Sequence, residues 1–248
     1  MALTIAHVSD FHVAGNPSFL LHGENTRANL AAVARSLGEH RPSLDLILVG
    51  GDVSHDGSPE SYEFVEQIFA DFACPFVATP GNHDDRRRLA ALFPTGNDVA
   101  DGLLATERAK LAVVDSQIPG AEEGRVSSIP AVADSGDSLL LVLLHHDLVQ
   151  PDGGGRPGMR IPHEELSKLL TLSPPTVFLT GHRHLAMDVC IGDVRILGAP
   201  ATSTQFDFEG GVPRRSSRSI PGYRTLTVED GRLHSTRIVD VAAGSTPA

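Results

Sequence analysis

Five short apolar runs, each stopped by a turn carrying Asp, Asn or His, constrain this chain more than any other feature. Leu3 to Ser9 runs into Asp10-Phe11-His12, and Leu44 to Val49 into Gly50-Gly51-Asp52. Pro75 to Ala78 leads to Gly81-Asn82-His83, Leu139 to Leu144 to His145-His146, and Thr176 to Thr180 to Gly181-His182-Arg183-His184. Apolar runs this short, bounded by Gly and polar turns, read as buried strands. Helical spacings lie between them. Asn25 to His40 sets Leu30, Ala31, Val33, Ala34 and Leu37 at helical spacing and closes near Gly38. Ser58-Pro59-Glu60-Ser61 opens a second helix, with Ser58 able to cap, Pro59 in the first turn, and Phe64, Val65, Ile68 and Phe69 on one face. The alternation over residues 1–85 predicts an α/β fold.

The remainder carries weaker signals. Arg86 to Phe93 reads as a short basic helix or loop, with Arg86, Arg87 and Arg88 on a solvated face. Residues 94–110 are poorly patterned, Leu111 to Val114 predicts a strand, and Ile118 to Asp137 is loop-rich with one weak helix. A helix is expected over His163 to Leu172, and a hairpin joins Val189–Ile191 to Val194–Leu197 around Gly192-Asp193. A second hairpin pairs Tyr223–Val228 with Leu233–Val239. Residues 151–160 are rich in Gly and Pro, and 203–221 lack any period and predict a surface loop. Segments 147–160 and 203–221 are the candidates to close over a site. No internal repeat or linker divides the chain, so one domain is expected over 1–241, with 242–248 as a frayed tail.

Composition narrows the function. A chain of 248 residues can bury one sizeable core, and 41% hydrophobic with 21% charged residues is a globular balance. No apolar stretch approaches the roughly 20 residues that span a bilayer, and the N-terminus lacks a signal-peptide pattern. A cytoplasmic protein without a membrane partner is the expectation. A formal charge of −11 disfavours long nucleic acid as partner, though not a small anionic substrate if metal ions supply local positive charge. A homodimer is one assembly the sequence permits. Cys74 and Cys190 stand far apart in no metal-ligand spacing and read as buried free thiols.

Histidine is the outlier, with 12 in the chain, several of them just after apolar runs. In open α/β sheets, sites form beyond the carboxyl ends of strands. Singly, Asp10-Phe11-His12 or Gly51-Asp52 is ordinary turn chemistry, and His145-His146 could be a core pair. Turn preference does not account for five such endings together. Carboxylate, imidazole and amide groups without thiolate suit Mn, Fe, Co, Ni or Zn in a catalytic role. Two cations about 3.5–4 Å apart need a bridging carboxylate and can hold a bridging water, whose pKa falls from 15.7 to about 7.

In order, Asp-x-His, Gly-Asp, Gly-Asn-His-Asp, His and Gly-His-x-His resemble the calcineurin-like metallophosphoesterases, over Asp10 to His184. Gly51-Asp52-Val53 with Asp56-Gly57-Ser58-Pro59-Glu60-Ser61-Tyr62, the continuation to Arg86, and Ala201 to Phe206 leading to Pro221-Gly222-Tyr223 are similar to one branch. That branch holds the class III cyclic-nucleotide phosphodiesterases and the glycerophosphodiesterases. The resemblance implies a four-layer α/β/β/α sandwich of two mixed sheets flanked by helices. It also implies two transition-metal ions (Mn, Fe, Zn or Co) and no organic cofactor. One metal would sit on Asp10, His12, Asp52 and His184, the other on Asp52, Asn82, His145 and His182, with Asp52 bridging. His83 would be the acid serving the leaving oxygen. His145 is chosen over His146 because the family's ligand histidine comes first after the strand, two residues before a common Pro that is Asp147 here. His146 and His22 are then candidate substrate contacts, and His7, His40, His55, His163 and His234 structural or surface residues. The implied activity is hydrolysis of a small phosphodiester, best a 3',5'-cyclic nucleotide such as cyclic AMP, by a metal-bridging hydroxide. The alternatives are a glycerophosphodiesterase, a broad phosphomonoesterase, or a non-catalytic scaffold, the last expected to lack ligands that are all present here.

Overall fold

The computed structural model describes residues 2–40, 43–93, 103–105, 109–126, 138–149, 175–209 and 212–242. The first half contains β1 (Leu3–Val8), α1 (Thr26–Glu39), β2 (Leu46–Val49), α2 (Pro59–Phe69), β3 (Phe76–Ala78), α3 (Arg86–Leu92), β4 (Leu103–Ala105) and β5 (Ala109–Val113). The second half adds β6 (Leu139–Leu143), β7 (Thr176–Thr180), β8 (Met187–Ile191), β9 (Val194–Gly198), β10 (Phe206–Glu209), β11 (Val212–Arg215), β12 (Gly222–Glu229) and β13 (Arg232–Asp240). They form a five-stranded sheet in the order β13-β12-β1-β2-β3 and a six-stranded sheet in the order β4-β5-β6-β7-β9-β8. Both sheets are mixed, since β1 runs parallel to β2 but antiparallel to β12, and β7 parallel to β9 but β8 antiparallel.

Side-chain alternation decides the layers. From β1, Leu3 and Ile5 turn to the second sheet, while Ala6 and Val8 turn to the helices. From β6, Leu139, Leu141 and Leu143 meet the first sheet, and Leu140 and Val142 enter a third cluster on the far side. A strand buried on both faces needs an unbroken apolar run, as β6 has. Each such side chain contributes about 1.5–3 kcal/mol when fully buried. The outer face of the first sheet is covered by Leu30, Val33 and Leu37 of α1, Tyr62 and Val65 of α2, and Leu89 of α3. The helix expected over His163 to Leu172 lies outside the described residues.

The helix starts are local chemistry. Asn25 caps α1 by accepting from the Ala28 amide, and Asp85 caps α3 by accepting from Arg87 and Arg88. Ser58 occupies the cap position of α2, yet its hydroxyl donates to Asp56 Oδ1 at 2.6 Å and makes no cap bond, contrary to the sequence expectation. Arg86 is not simply solvated, because its guanidinium is bound to Asp115 and to the Gln117 carbonyl. Among the described residues, no helix is long and apolar enough to cross a membrane.

Three other expectations need correction. β4 rises from a stretch with no visible period. Within 203–221, β10 and β11 form an antiparallel ribbon, and Ser203 and Thr204 are fully buried, so this segment is no simple surface loop. Both cysteines are free, but Cys74 is only half-buried and Cys190 is exposed, because β8 is an edge strand.

His7 and Arg224 face each other across the β1–β12 ladder. Arg224 ties the sheets together by donating to the Gly198 and Met187 carbonyls. Burial, helped by that guanidinium, pushes the His7 imidazole down to about 3. The native state therefore holds His7 neutral, while the unfolded chain protonates it below its ordinary value of about 6.5. Stability is then lost as pH falls below about 6.5, by about 1.4 kcal/mol per pH unit for this one proton. Urea unfolding of chelator-treated wild type and His7→Gln at pH 6.5, 5.5 and 4.5 checks this. The variant should lose less stability on acidification by that increment per unit, and parallel curves would contradict the assignment.

Candidate active site

Five turns converge where the carboxyl ends of β1, β2 and β3 meet those of β6 and β7. Main-chain bonds stitch the two sheets together here, the Thr202 amide donating to Ser9 O at 3.0 Å and Ser203 to Asp10 O at 3.1 Å, while Gly181 donates to His145 O at 3.0 Å between neighbouring turns of the second sheet. Thr79 Oγ1 donates to Val114 O at 2.8 Å. The turns themselves are strained. Asp10, His12, Asp52, His182 and His184 adopt left-handed φ values of 57°, 47°, 51°, 67° and 54°. For residues bearing a Cβ this costs roughly 1–2 kcal/mol each. Such strain persists where surrounding contacts over-determine the backbone, and it collects at functional sites.

Two glycines make the approach possible. Gly51 has φ 93°, and a Cβ there would lie 2.7 Å from both the Gly81 amide and His145 Nδ1. A Cβ on Gly81 would collide with the Asp52 carboxylate and amide. The Gly-Asp and Gly-Asn-His turns can touch because both first residues lack side chains.

The side chains form two clusters joined by one carboxylate. In the first, His12 Nε2 lies 2.9 Å from His184 Nε2 and 3.5 Å from Asp52 Oδ2, and His184 Nε2 lies 3.6 Å from Asp10 Oδ1. In the second, His145 Nε2 lies 3.3 Å from Asp52 Oδ2 and 3.3 Å from Asn82 Oδ1, and His182 Nδ1 lies 3.1 Å from the same Asn82 oxygen. Asp52 Oδ2 thus faces a histidine of each cluster. The far nitrogens of two rings are committed: His145 Nδ1 donates to Gly50 O at 2.7 Å and His184 Nδ1 to Thr204 O at 2.8 Å. A carbonyl only accepts, so each neutral ring turns an Nε2 lone pair inward, against carboxylate and amide oxygens that are also lone pairs. Lone pairs converging at such distances fit cations, and this donor set of imidazole, carboxylate and amide oxygen suits divalent transition metals.

The electrostatics agree. Burial pushes the Asp10 carboxyl up to about 7, Asp52 adding to the rise while His145 opposes it. At Asp52 burial acts the same way, but His145 above all, with His12 and His83, holds it well below the usual carboxylate range. His145 is raised to about 9: burial would lower it, and the carboxylates of Asp52 and Asp10 outweigh that. His12 is held well below its ordinary value, chiefly by burial. Buried carboxylates that draw protons onto a neighbouring imidazole are carboxylates short of positive charge.

The surroundings differ from the sequence expectation in places. His83 is half-buried, edge-on to His12 with ring centres 4.8 Å apart, and its Nδ1 donates to the His55 carbonyl at 2.8 Å. His146 is fully buried, its ring nitrogens face Ser116 Oγ at 2.8 Å and the Glu122 carbonyl at 3.1 Å, and its ring packs on His182 with centres 4.7 Å apart, so that His145, His146 and His182 also form a group able to hold a metal ion. His22 is exposed at the rim, edge-on to Phe206, which stacks on His184. Asp147, standing where the family commonly has Pro, forms a buried ion pair with Arg183 at 2.6 Å and accepts from Thr180 Oγ1. It thereby links the His145 turn to the His182–His184 turn.

Two residues gained roles that sequence reading missed. Asp84 accepts from the Ser54 and Gly81 amides and from the Tyr62 hydroxyl, pinning the Asp52 turn to the Asn82 turn. His55, read as structural or surface, stacks between Phe19 and His83 and reaches His12. Its only signal was its position, three residues beyond Asp52.

Comparison with known proteins gives a consistent picture. A family model described as calcineurin-like phosphoesterase matches residues 3–186. The chain is 31% identical over 251 residues to the 3',5'-cyclic adenosine monophosphate phosphodiesterase CpdA of Pseudomonas aeruginosa, covering 97% of this chain and 92% of that one. It is 29% identical to the protein of the same name in Escherichia coli K12, covering 92% and 86%. A glycerophosphodiester phosphodiesterase, GpdQ of Enterobacter lignolyticus, is 29% identical over 157 residues, 58% of this chain and 56% of that one.

Proposed function

The chain belongs to the calcineurin-like phosphoesterase family, and from that membership we propose that it hydrolyses the 3',5'-phosphodiester of cyclic AMP at a two-metal centre. One observation carries the chemistry: Asp52 Oδ2 faces His12 from one side and His145 from the other, each at the head of its own cluster. On this reading Asp10, His12, Asp52 and His184 hold one cation, and Asp52, Asn82, His145 and His182 the other. Bound cations would neutralise phosphoryl oxygens and bring the pKa of water from 15.7 to about 7.

The protein's own groups do the rest. Gly50 O and Thr204 O fix the tautomers of His145 and His184, keeping both Nε2 atoms turned inward. Asp84 keeps the Asp52 and Asn82 turns in register. Because His83 Nδ1–H is bound to the His55 carbonyl, Nε2 is the atom that, in the protonated ring, gives its proton to the departing ester oxygen and leaves the ring neutral. Asp52 is held independently, since the main-chain amide of His83, not its ring, donates to Asp52 Oδ1 at 2.9 Å.

Release of AMP from cyclic AMP by the Mn²⁺-reconstituted protein tests the substrate. A chromogenic diester and its matching monoester are run beside it. Cyclic AMP turnover with little monoesterase activity is expected. Cleavage of only the chromogenic esters would leave metal-dependent phosphoester chemistry standing and remove the cyclic-nucleotide reading.

A further inference from the structure

His55 lies outside both clusters yet touches both working histidines. Its amide donates to Val13 O at 2.8 Å, which anchors its backbone beside His12. Its ring is the middle member of a column: Phe19 stacks on it at 4.6 Å and 30°, and His83 at 5.0 Å and 22°. Its Nδ1 lies 3.3 Å from His12 Nδ1, and its carbonyl accepts from His83 Nδ1 at 2.8 Å.

A histidine that ligates through one ring nitrogen is normally oriented through the other. For His145 and His184 that partner is a main-chain carbonyl. For His12 it is the ring of His55. With His12 Nε2 as ligand, its Nδ1 bears the hydrogen and can only donate, so His55 Nδ1 must accept. The Asp52 carboxylate draws His12 from the metal side, and His55 holds it from behind. The same residue, through its carbonyl and its ring face, sets the plane of His83.

We propose that His55 is a positioning residue of this centre, aiming His12 Nε2 at the first cluster and holding the His83 imidazole in the orientation that serves the leaving group. The inference rests on the two-metal reading above. It assigns to a side chain the role that a carbonyl has at the neighbouring ligands, so it is open to mutation.

The test is a calorimetric titration of chelator-treated protein with Mn²⁺, on wild type, His55→Phe and His55→Asn. Phe keeps the ring column and the carbonyl but removes the acceptor. Asn removes the ring and puts an amide oxygen near the Nδ1 position. Wild type should bind two ions per chain. His55→Phe should bind one of them about 10–100-fold more weakly, the usual cost of losing a hydrogen-bond partner behind a ligand, and His55→Asn should recover most of the difference. Wild-type affinity in His55→Phe, or equal weakening in both variants, would overturn the proposal. Should His55→Phe not fold, as judged by urea unfolding, His55→Ala against His55→Asn makes the same comparison. Fewer than two ions on wild type would instead remove the two-metal reading, and this role with it.

Discussion

Replacing Asp52 with alanine is expected to abolish phosphodiester hydrolysis and to empty at least one of the two proposed metal positions. The carboxylate stands 3.5 Å from His12 Nε2 and 3.3 Å from His145 Nε2, so its loss strips an oxygen from both clusters at once. Removing a single transition-state donor typically costs about 10²–10³-fold in kcat. The loss here should exceed that range, because the groups that organise the phosphoryl oxygens and the water go together. His145 would also change character. Asp52 is the main influence raising it against burial, and without that carboxylate burial drives the ring toward neutrality. Metal content by elemental analysis and kcat/KM on cyclic AMP, measured on protein with an unchanged urea transition, would check both halves. Two ions per chain in Asp52→Ala would contradict a shared ligand.

His83→Ala should behave in the opposite way, keeping its metals and losing the chemistry. Its amide still donates to Asp52 Oδ1 in the variant, so the Asn82 turn and the Asp52 carboxylate stay in place. What disappears is the imidazole whose Nδ1–H is fixed on the His55 carbonyl, leaving Nε2 to serve the leaving oxygen. General acid catalysis is worth about 10²–10⁴-fold, and the benefit grows as the leaving group becomes a poorer one. Cyclic AMP, which expels a ribose alkoxide, should lose activity on that scale, while a nitrophenyl diester should lose far less. Equal losses on both esters would show that the ring positions substrate or metal and does not supply a proton.

Much of this centre is legible in the order of residues along the chain. β7 occupies the residues its apolar run indicated, and β6 is buried on both faces as an unbroken run demands. The Asp, Asn and His residues that end those runs arrive at the two clusters, with His83 edge-on beside the first and His146 packed on His182 of the second. The misses share a cause. β4 and the β10–β11 ribbon are short and carry neither alternation nor a helical period, so their pairing comes from neighbours and not from their own pattern. Cys190 reads as apolar and buried, but its exposure depends on β8 being an edge, which is a property of the sheet.

By itself the sequence determined the five strands that carry the site and what chemistry stands at their ends. Both are local: a strand's burial is written in its own run of side chains, and a turn's ligands follow directly after it. Tertiary structure alone decided which atoms meet. His12 and His184 are 172 positions apart, and His145 and Asn82 63. Their encounter needs two sheets packed face to face, left-handed turns at five ligand-type positions, and glycines at 51 and 81 that admit the approach. The place of His55 belongs to the same class. A half-buried imidazole behind a ligand leaves no period in the chain, because its partners come from turns that only folding brings together.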